Sequence, residues 1–371
     1  MQKIIHDYKN IHKLFDYLDT LYYETSATDK VEMSKSLLSK KLPSIFLGVL
    51  TLFHNYGYEF DIQLADIQFS PLSISWNNNN KDIIVCVSGG KDSTATALYY
   101  INHGYNVQLY HIQNLNKCYP DEYKRVQEIA EYLKVPVFFD KVKLTGSHQY
   151  IEHPLKNYIM TNAAIHYAIS TGIYNIAIGD FKTATLDNNA FEISGGDCVE
   201  LWDEYKKIIR TIIPDFDIGM PLDSAQNSLE AFLNDKSLLS LTQSCMGTFR
   251  FRDYKRQYNI DKYKVDLMPH RCGSCWKCAV EYIYYSDHNV IEFNNAYYKY
   301  CLDVLLNDMK SNGFIPFTPE YIWYNYMGYD ITESKIYEEL KHAIVQSRKI
   351  KYNSKEIARE ILSAALLSNK Q

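Results

Sequence analysis

The chain has 371 residues, 46% of them hydrophobic, and a formal net charge of −5. That length holds one large domain with additions or two to three small ones, and the apolar fraction supports a full core. The acidic balance argues against indiscriminate nucleic-acid binding through a basic surface.

Residues 1–81 read as an N-terminal extension. Ile4, Tyr8, Ile11, Phe15, Leu18 and Tyr22 recur at helical spacing, which predicts an amphipathic helix. Asp7, Asp16 and Asp19 interrupt its apolar pattern, unlike a signal peptide. The apolar run Leu42 to Phe53 is too short to span a bilayer. A cytoplasmic location is the expectation. A helical or mixed stretch at 34–56 follows. Phe60, Ile62, Leu64, Ile67 and Phe69 then suggest one or two strands, and Trp76 with Asn77 to Asn80 reads as a linker.

From residue 82 the pattern becomes βαβα. Ile83 to Val87 is apolar and β-branched, a buried-strand pattern. A helix is expected from Ser93 to His103, a strand over Val107 to Ile112 and a helix from Pro120 to Leu133. A third strand over Val135 to Phe139, a helix over Asn157 to Thr171 and a fourth strand over Tyr174 to Ile178 complete the series. This alternation predicts an α/β parallel sheet with helices on both faces. Ligands of such sheets sit beyond the carboxyl ends of the strands, which places His111, Gln113, Gly179, Asp180 and Lys182 near a site. Helices are expected at 198–213 and 225–241, and a largely helical C-terminal extension at 289–371.

Ser88-Gly89-Gly90-Lys91-Asp92-Ser93 joins the first strand to the first helix. The two glycines permit a sharp turn that aims N–H groups at an anion. Asp92 and Ser93 open a helix, where free N–H groups and the helix dipole favour phosphate. The Ser88 and Ser93 hydroxyls can donate to phosphate oxygens, Lys91 adds a point charge, and Asp92 can hold Mg²⁺. A Walker loop does not fit, because Val85 stands where its first glycine belongs.

The eight cysteines are 86, 118, 198, 245, 272, 275, 278 and 301. Cys272, Cys275 and Cys278 lie at two-residue intervals, and Cys245 is the best fourth thiol. Four thiolates at tetrahedral spacing suit structural zinc, with an iron–sulfur cluster as the alternative. Cys86 and Cys301 read as core residues. The 33 tyrosines read as compositional bias rather than a stacking surface.

The hexapeptide Ser88–Ser93 resembles the phosphate-binding loop of PP-loop ATP pyrophosphatases. Together with the late cysteine knuckle it resembles the 7-cyano-7-deazaguanine synthase (QueC) family over about 82–285. The resemblance implies a Rossmann-like fold of the adenine nucleotide alpha hydrolase type in a domain at 82–288, and a Cys₄ zinc site from Cys245, Cys272, Cys275 and Cys278. The positions matching the family's loop are Ser88, Gly89, Gly90, Asp92 and Ser93; with Lys91 from the loop, and with His111, Gly179 and Asp180 placed by strand topology alone, they are the expected nucleotide-binding residues, Lys91, Asp92 and Ser93 being catalytic. Substrate contacts are expected at Lys182, by strand topology alone, and, through a loosely matching Asp-Cys loop, at Asp197 and Glu200. The implied cofactors are ATP, Mg²⁺ and Zn²⁺. The implied reaction adenylates the carboxylate of 7-carboxy-7-deazaguanine and captures it with ammonia, first as an amide and then as a nitrile.

Three features depart from the compact family: residues 1–81, residues 289–371, and the 26 residues between Cys245 and Cys272. That insert carries seven Lys and Arg against three Asp, an excess of four positive charges, interleaved with aromatics. It reads equally as a solvated loop or as a docking surface for a large acceptor. The departures resemble QueC-like paralogues of bacterial anti-phage islands, some of which are thought to use a protein amine instead of ammonia. Other PP-loop chemistry (a tRNA thiolase or a sugar amidotransferase) and a nucleotide-sensing module remain open. A protein acceptor or partner, or a homodimer, is compatible with this reading; a membrane or nucleic acid is not the expected partner.

Overall fold

The computed structural model describes residues 21–26, 29–33, 75–76, 81–113, 122–145, 153–182, 199–210, 213–243, 263 and 270–311. The chain divides into two compact units, residues 1–223 with 237–243, and residues 224–236 with 244–371. The expected segments at 34–69, Asn77–Asn80 and 312–371 lie outside the described residues.

Among the described residues, the first unit is built on a sheet of six strands: β1 (Leu21–Ser26), β2 (Asp29–Met33), β3 (Asp82–Cys86), β4 (Asn106–Gln113), β5 (Val137–Thr145) and β6 (Ile176–Ala177). Their spatial order is β1-β2-β5-β4-β3-β6. The four strands from β3 onward are parallel, and β1 and β2 add an antiparallel hairpin at the β5 edge. Helices α1 (Lys91–Asn102), α2 (Glu122–Leu133) and α3 (His153–Thr171) connect the parallel strands, and α4 (Val199–Arg210) follows. From β3 the chain steps outward through β4 to β5, then returns to the far side of β3 for β6. Right-handed crossovers therefore put α1 and α2 on one face and α3 on the other. This is a Rossmann-like α/β sheet. Ile83, Ile84, Val85, Cys86 and Val87 are all buried, as a central parallel strand requires.

Several expectations change in detail. Leu21 and Tyr22, expected to end a helix, open β1 instead; residues 1–20 lie outside the described residues. The segment LYYETS is rich in residues that suit a pleated surface. The third parallel strand is longer than expected. Its first half pairs with β4, and Val142 to Thr145 find a second partner in β2. The helix expected over 225–241 is two short ones, α5 (Ala225–Glu230) and α6 (Lys236–Leu241). Asn234 and Asp235, which favour turns, fall at the break. The second unit's helices α7 (Trp276–Asp287) and α8 (Asn295–Ser311) pack together.

Trp76 is no linker residue. It is 2% exposed, its ring stands 4.9 Å from that of Phe216, and its indole N–H donates to the Asp217 carbonyl at 3.0 Å. A large aromatic with one polar atom is stable in a core when that atom finds an acceptor, and residues 215–217 provide it. The tyrosines also have structural work. Tyr282, Tyr284, Tyr285, Tyr297 and Tyr298 are all buried between or beside α7 and α8. Among the described residues no helix is long and apolar enough to cross a membrane.

His166 in α3 is buried, and burial lowers its pKa to about 4. An unfolded histidine takes its proton near pH 6.5. Between these values the unfolded chain holds more protons, so stability falls as pH drops through this window, by about 3 kcal/mol if the whole shift is expressed. Urea unfolding at pH 7 and pH 4 is expected to show that loss in the wild type and a smaller one in His166→Leu.

Candidate functional site

Sheet topology fixes where a ligand can sit. The connection direction reverses between β3 and β6, and the crevice beyond their carboxyl ends is the binding position of open parallel sheets. Two loops meet there: Ser88–Ser93 after β3 and Gly179–Lys182 after β6.

The first loop is held by its own polar atoms. Gly89 adopts φ +75°, the left-handed region that favours glycine. Gly90 caps α1 in an extended conformation. Its carbonyl accepts from the Thr94 hydroxyl at 2.8 Å, from the Thr94 amide at 3.2 Å and from the Ser93 hydroxyl at 3.2 Å. The Ser93 oxygen in turn accepts from the Ser88 amide at 3.3 Å. Ser93 thus spends its hydroxyl proton inside the loop and fixes the loop's curvature, while the partly exposed Ser88 stands at its mouth. The Gly89 carbonyl accepts from the Gln243 amide at 2.8 Å. Lys91 and Asp92 form an ion pair, the lysine side chain 12% and the aspartate 36% exposed.

The loop after β6 is pressed against this structure. A methyl group at Gly179 would lie 2.6 Å from the Ser93 nitrogen, 2.7 Å from its Cα and 2.9 Å from the Asp92 carbonyl carbon. Only glycine fits without displacing the first turn of α1. Gly179→Ala is expected to destabilise the protein by about 1–3 kcal/mol as an overpacking change, read by thermal melts.

His111 is 3% exposed, and its Nδ1 lies 2.8 Å from the Val87 carbonyl. A carbonyl only accepts, so Nδ1 carries the proton. His111 therefore supports the backbone on which the loop begins. The Asp180 carboxylate accepts from Trp202 Nε1 at 2.7 Å and from Asn157 Nδ2 at 3.4 and 3.5 Å. Lys182 reaches Asp223 at 2.9 Å, with both side chains exposed. Glu200 falls in the first turn of α4. Asp197 lies outside the described residues. Cys86, at the end of β3, is fully buried; burial first, then the Asp180 charge, push its thiol well above the usual range, so it is no nucleophile.

Sequence reasoning missed one neighbour of the loop. Arg125 in α2 is 4% exposed, and a methyl at Gly89 would touch its Cβ at 3.5 Å and its Nε at 3.8 Å. The available signal was its place on the helix. Glu122, Arg125, Val126, Ile129 and Ala130 form one buried stripe, and a charge on such a stripe needs a reason.

The second unit holds the cysteine knuckle. The sulfurs of Cys272, Cys275 and Cys278 all lie within 4.8 Å of one another, and Cys272 and Cys278 are 3.9 Å apart. Sulfurs bound to one tetrahedral zinc at ~2.3 Å are separated by about 3.8 Å. Thiolates of an iron–sulfur cluster bind different irons and stand further apart. Cys275 caps α7, and Gly273 takes φ +73° to turn the chain between ligands. The Ser274 amide donates to Cys272 Sγ at 3.4 Å, and the Tyr297 hydroxyl donates to the Gly273 carbonyl at 2.5 Å. Cys245 lies outside the described residues, as does nearly all of the insert 246–271. Arg271 pairs with Glu281 at 2.9 Å, both buried. The three described thiols form a cage that fits one soft metal ion.

No protein-family model matches the chain. Over 57 residues the chain is 42% identical to 7-cyano-7-deazaguanine synthase 2 of Sulfurisphaera tokodaii, covering 15% of this chain and 12% of that protein. Over 71 residues it is 39% identical to 7-cyano-7-deazaguanine synthase of Sulfolobus acidocaldarius, covering 18% and 15%. The matched stretches thus span less than a fifth of either relative. The U34-tRNA thiolase NcsA from Methanococcus maripaludis, solved with its [4Fe-4S] cluster, aligns over 71% of this chain and 73% of its own. That alignment has 14% identity and a TM-score of 0.30, a likeness too distant to carry an argument.

Proposed function

We propose, for a chain that is QueC-like and carries a PP-loop, that it is an ATP-dependent ligase acting on the carboxylate of 7-carboxy-7-deazaguanine. The observation that carries this reading is the Ser88–Ser93 loop at the sheet's switch point, with Lys91 and Asp92 opening α1. A free carboxylate oxygen is a poor leaving group. Its attack on the α-phosphorus of ATP breaks the α–β bond, releases pyrophosphate and gives an acyl adenylate. An amine then attacks the acyl carbon, AMP departs, and the nitrogen loses a proton to leave an amide. With ammonia as the amine, a second adenylation on the amide oxygen, followed by loss of AMP and two protons, gives the nitrile.

Backbone N–H groups of the loop and of the α1 N-terminus would bind the departing pyrophosphate as charge builds on it, which is electrostatic catalysis. Asp92 would help hold Mg²⁺ on the phosphates, and Lys91 would neutralise a phosphate oxygen. Asp180, Lys182, Asp197 and Glu200 are the proposed contacts beyond the phosphates. The sulfurs of Cys272, Cys275 and Cys278, with Cys245, would hold structural zinc, and the 3.9 Å spacing of two of them favours a single ion.

The acceptor is either ammonia or a protein amine. A docking role for the basic, aromatic insert 246–271 would suit a large acceptor and would place the chain among deazaguanine protein-modifying enzymes of anti-phage defence. Incubation with ATP, the carboxylate and ammonia, with and without a candidate partner, separates the two. A free nitrile supports ammonia as acceptor, and a mass gain on the partner supports a protein amine. If the carboxylate triggers no AMP formation under either condition, the reading is wrong.

A further inference from the structure

We propose that Arg125 is a second phosphate-binding cation of the Ser88–Ser93 loop, acting on the pyrophosphate end of ATP. The proposal rests on the reading of this loop as an ATP site.

Lys91, the loop's own lysine, is engaged by its neighbour Asp92. Part of its charge is therefore already compensated before a triphosphate carrying several negative charges arrives. Arg125 enters from another element. It sits in the second half of the first turn of α2, on the stripe that faces the sheet. Its Cβ and Nε pack against the Gly89 turn, 3.5 and 3.8 Å from where a methyl on that residue would stand. The residue is 4% exposed. A guanidinium does not lose its proton on burial, so a charged group is held permanently beside the turn. Its planar fork suits two oxygens of one phosphate or of adjacent phosphates.

A position beside Gly89 also predicts which part of the nucleotide it serves. The loop and the first turn of α1 are the anion-binding elements, whereas a nucleoside needs a separate apolar pocket. Arg125 is therefore expected to discriminate pyrophosphate and ATP from AMP.

The experiment is calorimetric titration of the full-length wild type, Arg125→Gln and Arg125→Lys with MgATP, magnesium pyrophosphate and AMP, alongside thermal melts. Arg125→Gln is expected to weaken MgATP and pyrophosphate binding at least tenfold, with AMP affinity within twofold of wild type. Arg125→Lys keeps the charge without the fork and is expected to recover part of the loss, which keeps the test valid if the glutamine variant misfolds. Equal binding of pyrophosphate by wild type and a folded variant overturns the proposal, and so does an equal loss for AMP, which would mark a packing role. If the wild type binds neither MgATP nor pyrophosphate, the ATP-site reading itself fails and this proposal with it.

Discussion

On the proposed function, Asp92→Ala and Ser93→Ala are each expected to abolish carboxylate-dependent AMP formation while the chain stays folded. The two act by different routes. Asp92 has a side chain 36% exposed and paired with Lys91 at the mouth of α1, so its loss would remove the proposed Mg²⁺ ligand and leave the lysine without its tether. Ser93 is 8% exposed and ties Gly90 to Ser88, so its loss relaxes the curvature that aims the loop's N–H groups. Weakening a site that stabilises developing charge costs about 10²–10³ in rate, and both variants are expected to fall at least that far. The difference appears in binding. Asp92→Ala keeps Mg²⁺-free pyrophosphate affinity, and Ser93→Ala loses it. Steady-state AMP release and titration with pyrophosphate in the presence of a chelator test this. Turnover retained in both variants would refute the assignment of the loop.

The strand, loop and helix around Ser88–Ser93 were legible because each carries a local signal: a β-branched run, two adjacent glycines, then a polar helix start. The parallel order followed from the alternation of elements. What local pattern did not reveal was set by contacts distant in sequence. Trp76 joins the core because Phe216 and the Asp217 carbonyl meet it, 140 and 141 positions further on. The far half of β5 is a strand because a hairpin more than a hundred residues earlier pairs with it. Strand topology placed Gly179 near the loop, but the reason it must be glycine, that a methyl there would lie 2.6 Å from the Ser93 nitrogen, exists only in three dimensions. Arg125 belongs to no motif, and its place beside the loop depends on the Gly89 turn folding against it.

The knuckle carries the second large effect. Purified wild type is expected to hold about one zinc per chain, and Cys278→Ser to hold almost none. Cys272 and Cys278 are each 4% exposed and together form the buried centre of the site. The Gly273 turn, the Cys275 cap of α7 and the Tyr297 bond to the Gly273 carbonyl all converge on them. Without an ion, thiolates this close repel, and thiols cannot link residues 272–278 into one rigid turn. Structural zinc contributes on the order of 10 kcal/mol to the folding of small sites. Loss of one buried ligand should therefore lower the melting transition by roughly 10 °C or more. Tyr297→Phe, which keeps every sulfur but releases the Gly273 carbonyl, should retain the ion and speed its transfer to a chelator several-fold, since outer contacts orient metal ligands. Metal analysis, melting curves and chelator kinetics read all three. Iron with sulfide in the purified protein would replace the single-ion site with a cluster. Unchanged zinc in Cys278→Ser would mean that the cage formed by the three described sulfurs is not the metal site.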